Sequence, residues 1–347
     1  MTNQLTIEEI ARIAGVSRST VSRVLNNHPS VRPTVRDNVL SVIREQNYTP
    51  HAAARSLARR HSNMLGLLIP RSAAISLSDP FISSMIQQIS EAGSGMGYFV
   101  MPAMMTVDME QGFYTHILRG RIFDGIVMFS SDVDDPILPL LIKDRTPLVL
   151  IGSHPYFQNI VSVDIGNREC GRMAVNHLLG LGHRRIATIN GQLQMDAALK
   201  RRDGYKQALL EAGIAIDPQL MLDGYYTEAG GYAAMQRLLD LPQRPTAVFA
   251  ASDTMAVGAL RAIVDRGFVV PEDIAIVGFD DTQVARYANP PLTTIHQPID
   301  EMGATALKLL IDQIKGQTPV ASVRLPAHLV VRSSCGASSS RSGAKGG

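Results

Sequence analysis
Between residues 6 and 46 apolar side chains recur three or four positions apart, the spacing of helices with one buried face. Ile7, Ile10, Ala11 and Ala14 predict a short first helix that ends at Gly15. Val21, Val24 and Leu25 predict a second, from Arg18 to about Asn26, with Arg18, Ser19, Ser22 and Arg23 facing outward. Pro33 suits the first position of a third, which runs through Val35, Val39, Val42 and Ile43 to about Gln46. Two of these helices carry start signals. In Thr6-Ile-Glu-Glu9 the threonine side chain accepts an amide of the first turn while Glu9 reaches back to the Thr6 amide, a capping box. Ser17 is a good N-cap for the second helix.

From Met64 onward the pattern changes to short apolar runs separated by amphipathic stretches: Leu65–Ile69, Tyr98–Met101, Gly125–Phe129, Leu148–Ile151, Ile186–Ile189, Ala247–Ala250 and Ile274–Val277. Strands buried on both faces and separated by helices describe parallel sheets of βαβ units. There are too many for one small sheet, and the pattern restarts after about residue 162, which predicts two similar lobes.

At 347 residues the chain has room for two or three domains of ~150 residues. A content of 45% hydrophobic and 18% charged residues is that of a globular protein. Its apolar runs fall far short of the roughly 18–20 residues of a membrane helix. The first nine residues hold no basic segment followed by an apolar stretch, so no secretory signal is expected and the location expected is the cytoplasm. Two cysteines, Cys170 and Cys335, can neither staple a fold of this size nor cage a metal alone.

Charge separates the chain into two parts. Residues 1–61 hold nine arginines, no lysine and four acids, a net charge of +5, whereas the remainder has 24 basic and 27 acidic residues. A basic head on a slightly acidic body suits a polyanion-binding module on a scaffold. The donor-rich first turn of the second helix is the part that a helix-turn-helix places against base edges in the major groove.

The run Thr6-Ile-Glu-Glu-Ile-Ala-Arg-Ile-Ala-Gly-Val-Ser-Arg-Ser-Thr-Val-Ser-Arg-Val-Leu-Asn26 resembles the N-terminal signature of the lactose-repressor/galactose-repressor family of bacterial transcription regulators. Asn47-Tyr48-Thr-Pro50 and Ala54-Arg-Ser-Leu57 match its next landmarks, and the similarity extends over roughly residues 5–334. The resemblance implies that Arg18, Ser19 and Arg23 read bases, with phosphate contact the alternative for each. It assigns Thr20, Ser22, Asn26 and Tyr48 to backbone phosphates or to support of the fold. Arg32 departs from the pattern, standing where many relatives cap the third helix with Ser or Thr. Pro50–Arg60 corresponds to a hinge helix that forms when two chains meet on DNA. Leu57 would be its minor-groove wedge, and Arg55 a phosphate contact or plain linker charge. The other reading is an interdomain linker whose Leu57 packs on the body.

For the body the resemblance implies a two-lobed periplasmic-binding-protein-like α/β core with three crossovers, the third near Thr293–Gln297. The expected organisation is a helix-turn-helix head over 1–49, a hinge over 50–62, a core over 63–334 and a disordered tail over 335–347. Within the core, 63–163 plus 295–323 would form one lobe and 164–294 plus 324–334 the other. Ligands of open parallel sheets bind beyond the strand C-termini. Candidates there are Phe81 as a stacking ring, Ser130, Asp164, Ser252, Asp253 and the hydroxyl-accepting Asp280. Arg201 aligns with the family's effector-anchoring arginine and Tyr226 with an aromatic platform. Each has a plainer alternative: surface exposure for Arg201, turn or helix capping for the aspartates, core packing for the two rings. Met195, where some relatives place a polar contact, argues against a highly charged effector.

Gly93-Ser-Gly-Met-Gly97 follows a helix and precedes a strand, the reverse of a phosphate loop, and reads as a helix C-terminus. His177 and His183 have no third metal ligand nearby, neither cysteine has a base beside it in sequence, and Gly-x-Ser-x-Gly is absent. No cofactor, metal or catalysis is expected. The tail has no leucine heptads, so a dimer is the expected assembly. The expectation is a homodimeric, sequence-specific regulator, a repressor by preference, that binds a palindromic operator and is controlled by a sugar or related polyol between its lobes. A solute receptor for a transporter and a sugar-processing enzyme are the alternatives. The basic head and absent signal oppose the first, and the lack of an acid/base pair or phosphate loop opposes the second.

Overall fold
The computed structural model describes residues 5–25, 28–46, 48, 61–69, 79–104, 122–129, 132–317 and 322–337. The expectations for Asn26, for Arg55 and Leu57 of the hinge, and for Ser130 lie outside the described residues. The chain divides into two compact units, Met1–Asn63 and Met64–Gly347.

In the first unit, α1 (Ile7–Ile13), α2 (Arg18–Leu25) and α3 (Pro33–Glu45) pack around Ile10, Ala11, Ala14, Val21, Val24, Val39, Val42 and Tyr48. The capping box forms as the sequence predicts. The Glu9 amide donates to Thr6 Oγ1 at 3.3 Å, and the Thr6 amide donates to Glu9 Oε2 at 2.7 Å, which holds the Glu9 carboxyl below its ordinary range. The turn after α1 passes through Gly15, where φ is +64°. Asn38 of α3 fastens this turn by donating to the Ala14 carbonyl at 3.0 Å. Ser17 caps α2 through the Thr20 amide at 3.2 Å, whereas Arg32 gives α3 no side-chain cap.

In the second unit the apolar runs become two six-stranded sheets. The first holds β1 (Met64–Ile69), β2 (Phe99–Met104), β3 (Gly125–Phe129), β4 (Leu148–Ile151), β5 (Ser162–Asp164) and β11 (Ser322–Arg324), in the order β11-β5-β4-β3-β1-β2. The second holds β6 (Ile186–Asn190), β7 (Met221–Asp223), β8 (Ala247–Ala250), β9 (Ala275–Asp280), β10 (Thr293–His296) and β12 (His328–Val330), in the order β12-β10-β9-β8-β6-β7. The two orders correspond strand for strand, which is the repeat that the sequence pattern shows. All pairings are parallel except β12 on β10, an antiparallel edge.

Among the described residues, the helices of this unit are α4 (Pro80–Gly95), α5 (Ile137–Lys143), α6 (Asn167–Gly180), α7 (Asp196–Glu211), α8 (Glu228–Leu239), α9 (Asp253–Asp265), α10 (Gln283–Tyr287) and α11 (Ile299–Ile314). The chain passes between sheets after β5, after β10 and between β11 and β12. The passage near Thr293–Gln297 is therefore the second of three rather than the third. Beyond it α11 returns to the first sheet, where Gln313 brackets β4 with bonds to the Leu148 amide and carbonyl at 3.0 and 2.9 Å. Gly93–Gly97 lies at the C-terminus of α4, as its order in the sequence predicts.

The expected start of a disordered tail at Cys335 is corrected. Residues 333–335 form a 3-10 turn whose Ser334 and Cys335 are buried. Ser334 Oγ donates to the Ile276 carbonyl at 2.7 Å and accepts from the Thr293 amide at 2.8 Å, so β9 and β10 hold this segment in place. Residues 338–347 lie outside the described ones.

Candidate nucleic-acid interface and ligand cleft
On the first unit, α2 turns Val21 and Val24 into the core and leaves Arg18, Ser19 and Arg23 exposed. Thr20 and Ser22 are half-buried beside them. Ser17 Oγ lies 2.8 Å from Ser19 Oγ and 2.9 Å from Thr20 Oγ1, which ties the hydroxyls of the first turn into one row. Arg18 Nε lies 2.9 Å from Glu8 Oε1 of α1. That contact uses Nε and leaves the two terminal nitrogens, the pair that a bidentate guanine contact needs. Of the two readings for Tyr48, the structure places it in support of the fold: its ring is buried in the core, and its amide donates to the Ile43 carbonyl at 3.0 Å, closing α3. An aromatic residue just beyond a helix serves the core and a surface contact equally well in sequence, and here packing takes it.

In the second unit, the C-terminal ends of both sheets face a cleft with about 680 Å³ of empty space, open mouth included. The first lobe contributes Asp79, Phe81, Ile82, Phe129, Ile151, Gly152 and Asp164. The second contributes Met195, Ala197, Arg201, Tyr226, Asp280 and Gln297. Phe81, Asp164, Arg201, Tyr226 and Asp280 thus meet in one space.

Arg201 is fixed from several sides. Its Nε donates to Asn167 Oδ1 at 2.8 Å, and Nη1 donates to the Ala251 carbonyl at 2.7 Å. Nη1 also lies 3.6 Å from Asp280 Oδ1, and the guanidinium carbon stands 3.6 Å from the centroid of the Phe279 ring. Close packing of α6 on α7 sets this position, since a Cβ at Gly204 would lie 2.1 Å from the Arg168 carbonyl oxygen.

Asp280 and Asp281 follow one another with φ of +114° and +58°. Such backbone costs of order 1–3 kcal/mol per residue and persists where the surroundings over-determine it. The bend sends the two carboxylates apart. Asp280 takes Gln297 Nε2 at 2.5 Å, while Asp281 pairs with Arg332 and with His296 Nδ1 at 3.0 Å. Tyr225 and Tyr226 form a second such pair, with φ of +56° and +58°. The Tyr226 ring lies directly over Gly191, where a Cβ would stand 2.0 Å from its Cζ.

The acids of this region are poorly solvated. Burial raises Asp79 to about 6 although the Phe81 amide and Arg201 favour its charge. Burial raises Asp280 well above the carboxylate range, against the pull of Arg201 and with the push of Asp79 and Asp253. Tyr226 rises to about 12, chiefly by burial.

Two candidates stand apart from the lining. Ser252 Oγ caps α9 by accepting the Met255 amide at 3.2 Å. Asp253, buried and raised to about 7, accepts from the Thr282 amide at 2.8 Å and from Thr294 Oγ1 at 2.6 Å. A Ser-Asp pair after a strand fits a helix cap as well as a ligand contact, and here Ser252 satisfies one orphan amide of α9 while Asp253 bonds Thr282 and Thr294. Asp79, Asn167 and Gln297 were missed as cleft residues. Asp79 caps α4 by accepting from the Phe81 amide at 2.9 Å, a helix-start role that in sequence hides its place on the cleft wall. Cys335 does have a base in space, with His177 Nε2 3.2 Å from its thiol, but the pair is not part of the cleft lining. Among the described residues no group of three or more metal-ligating side chains occurs, and no helix is long and apolar enough to cross a membrane.

Comparison with known proteins agrees with both parts. Residues 6–51 match the model of bacterial regulatory proteins of the lacI family, and residues 175–335 match a periplasmic binding protein-like domain. The HTH-type transcriptional regulator CelR of Thermobifida fusca is 39% identical over 334 residues, covering 95% of this chain and 98% of that protein. The HTH-type transcriptional repressor CytR of Escherichia coli K12 is 36% identical, covering 95% and 96%. Among solved structures, a lac repressor dimer bound to operator and the anti-inducer ONPF superposes with a TM-score of 0.85 at 29% identity, covering 96% of this chain and 99% of that one. A CelR–cellobiose complex superposes at 0.75 with 36% identity, covering 95% and 99%. These relatives are named as regulators and repressors, not as enzymes. With the helical head, the paired sheets and near full-length similarity together, the chain belongs to the lacI family of bacterial transcriptional regulators.

Proposed function
We propose that this regulator is a cytoplasmic, homodimeric repressor that binds a palindromic operator and takes a sugar or related polyol in the cleft between its lobes. The observation that carries the reading is the convergence of an aromatic wall, Phe81 and Tyr226, with Arg201, Asp164 and Asp280 drawn from both lobes. Rings offer apolar faces, and carboxylates and a guanidinium satisfy hydroxyls. The relative complexed with cellobiose supports a carbohydrate, and the lac repressor dimer on its operator supports the assembly on DNA.

In this mechanism Arg18, Ser19 and Arg23 read base edges, Thr20 and Ser22 position α2 on the backbone, and the hinge completes binding in the minor groove. The effector favours one arrangement of the lobes and shifts operator affinity only by its differential affinity for the two arrangements. The test is selection of duplexes from a random pool by the full chain. Enrichment of a two-fold symmetric site, altered by adding a sugar, supports the reading. Enrichment of no symmetric site overturns it.

A further inference from the structure
Two histidines meet away from the cleft lining. His296 is the last residue of β10 and His328 the first of β12, and the antiparallel register sets them directly opposite one another. Residues opposed in this way present their side chains on one face of a sheet. The two ring centroids stand 4.8 Å apart with the planes at 41°. His296 is half-buried and His328 exposed, so solvent reaches the pair. The spacing of the two residues in sequence hides it, because register alone brings them together.

Asp281 decides which nitrogen of His296 is available. Its Oδ2 lies 3.0 Å from His296 Nδ1. An ionised carboxylate only accepts, so Nδ1 carries the proton and Nε2 is the nitrogen that can bind a further group. A histidine that gives one ring N–H to a carboxylate is the usual form of a metal-ligating imidazole. Arg332 pairs with Asp281 Oδ1, and Arg286 Nη2 lies 3.5 Å from Oδ2. Two guanidinium groups thus already share this carboxylate.

The ring separation fits a single ion. With metal–nitrogen bonds of about 2.0–2.1 Å, two imidazoles on one ion hold their centroids roughly 4.5 Å apart at a right angle and roughly 5.2 Å apart at the tetrahedral angle. The observed 4.8 Å lies between the two. Imidazole nitrogens suit zinc, copper and nickel, whereas magnesium and calcium take oxygen ligands. The position of the pair gives such an ion something to do. The chain leaves the second sheet just after His296, toward α11, and re-enters it just before His328, from β11. An ion held by both rings would tie together two of the three segments that pass between the sheets.

We propose that His296 and His328 chelate one divalent transition-metal ion of the zinc, copper and nickel class, with Asp281 orienting His296, and that the ion fastens β10 to β12 beside these passages. The two rings supply two ligands, and water completes the coordination.

The test is equilibrium dialysis of the chelator-treated full chain and of His328→Ala against Ni²⁺, and separately against Mg²⁺. The expected result is a Ni²⁺ site in the parent that is at least about tenfold weaker in the variant, with no Mg²⁺ site of comparable affinity. Ni²⁺ raises the thermal midpoint of the second unit in the parent and not in the variant. His328 is exposed, and metal-free unfolding at the parent's midpoint shows that its loss leaves the fold intact. Should the variant unfold early, the electron paramagnetic resonance spectrum of the parent with one equivalent of Cu²⁺ decides instead, with coupling to two imidazole nitrogens expected. Equal Ni²⁺ affinity in parent and folded variant, no Ni²⁺ binding at all, or a single coupled imidazole overturns the inference. Mg²⁺ bound as tightly as Ni²⁺ overturns the assignment to the two rings. Ni²⁺ bound at this pair without a shift of the midpoint overturns the fastening of the strands.

Discussion
Ser153 Oγ lies 2.6 Å from Asp196 Oδ2 and joins the first lobe to the second. The same hydroxyl lies 3.1 Å from Asp164 Oδ2, on the cleft wall, and accepts from Lys200 Nζ. One hydroxyl has one proton, so Asp164 and Asp196 compete for it. A ligand that donates to Asp164 would release the proton to Asp196, which links occupancy of the cleft to a bridge between the lobes.

Ser153→Ala removes that bridge and leaves Lys200 as the remaining partner of the buried Asp196 carboxylate among the described residues. The expected loss is about 1–3 kcal/mol of unfolding free energy, the cost of an under-satisfied buried acceptor. Urea unfolding of the full chain, followed by the transition of the second unit, measures it. An unchanged midpoint would show that the bridge carries no stability.

Gly191→Ala places a methyl in the space of the Tyr226 ring, so the ring must move. The cleft wall changes shape while the strands on either side stay buried. The expected outcome is at least a tenfold loss of affinity for the ligand found by calorimetry, about 1.4 kcal/mol, with a smaller change in thermal midpoint. Full affinity in this variant would remove Tyr226 from the binding surface.

Asp79 is raised from 3.8 to about 6 by burial, so the folded state holds its proton more tightly than the unfolded chain does. Its charge therefore destabilises the fold above about pH 6, and that penalty fades as the pH falls toward the unfolded value. Asp79→Asn keeps a capping side chain without the charge. The variant should melt at a higher temperature than the parent at pH 7.5, with the difference shrinking by pH 5. A constant difference across that range would mean that the charge of Asp79 is not what strains this site.

On the head, Glu8 holds the exposed Arg18 side chain by its Nε atom and leaves the terminal nitrogens outside that pair. Glu8→Gln should weaken base preference at the one position per half-site that Arg18→Ala relaxes, and by less, within the ~1–3 kcal/mol of a bidentate contact. Selection from randomised operators compares the two variants. Identical preferences in parent and both variants would take Arg18 out of the readout set.

Local chemistry was legible in the sequence wherever it is set by near neighbours. The capping box at Thr6 and Glu9, the first position of Pro33 and the long apolar strands all follow from residues a few positions apart. The strands β5, β7, β11 and β12 have three residues each and lie toward or at the sheet edges, where no apolar run marks them. The same limit governs the cleft. Asp280 stands at the end of a strand, and Arg201 and Tyr226 align with family positions, so all three carry a recognisable side-chain type at a recognisable place. Gln297 is added by register, because β10 sets His296 opposite Asp280 and places the next side chain beside that carboxylate. Asn167 is added by the crossing of α6 and α7, and the engagement of Asp253 depends on Thr282 and Thr294, which only the fold brings near.

The most direct measurement is the dissociation constant of the full chain for its selected palindrome, by fluorescence anisotropy at fixed salt, with and without a saturating neutral sugar identified by calorimetry. A ligand in the cleft that biases the lobes changes that constant by at least about fivefold, the lower end of ordinary coupling free energies. An identical constant in both conditions, with the sugar shown to be bound, would contradict control of the DNA-reading head by the cleft.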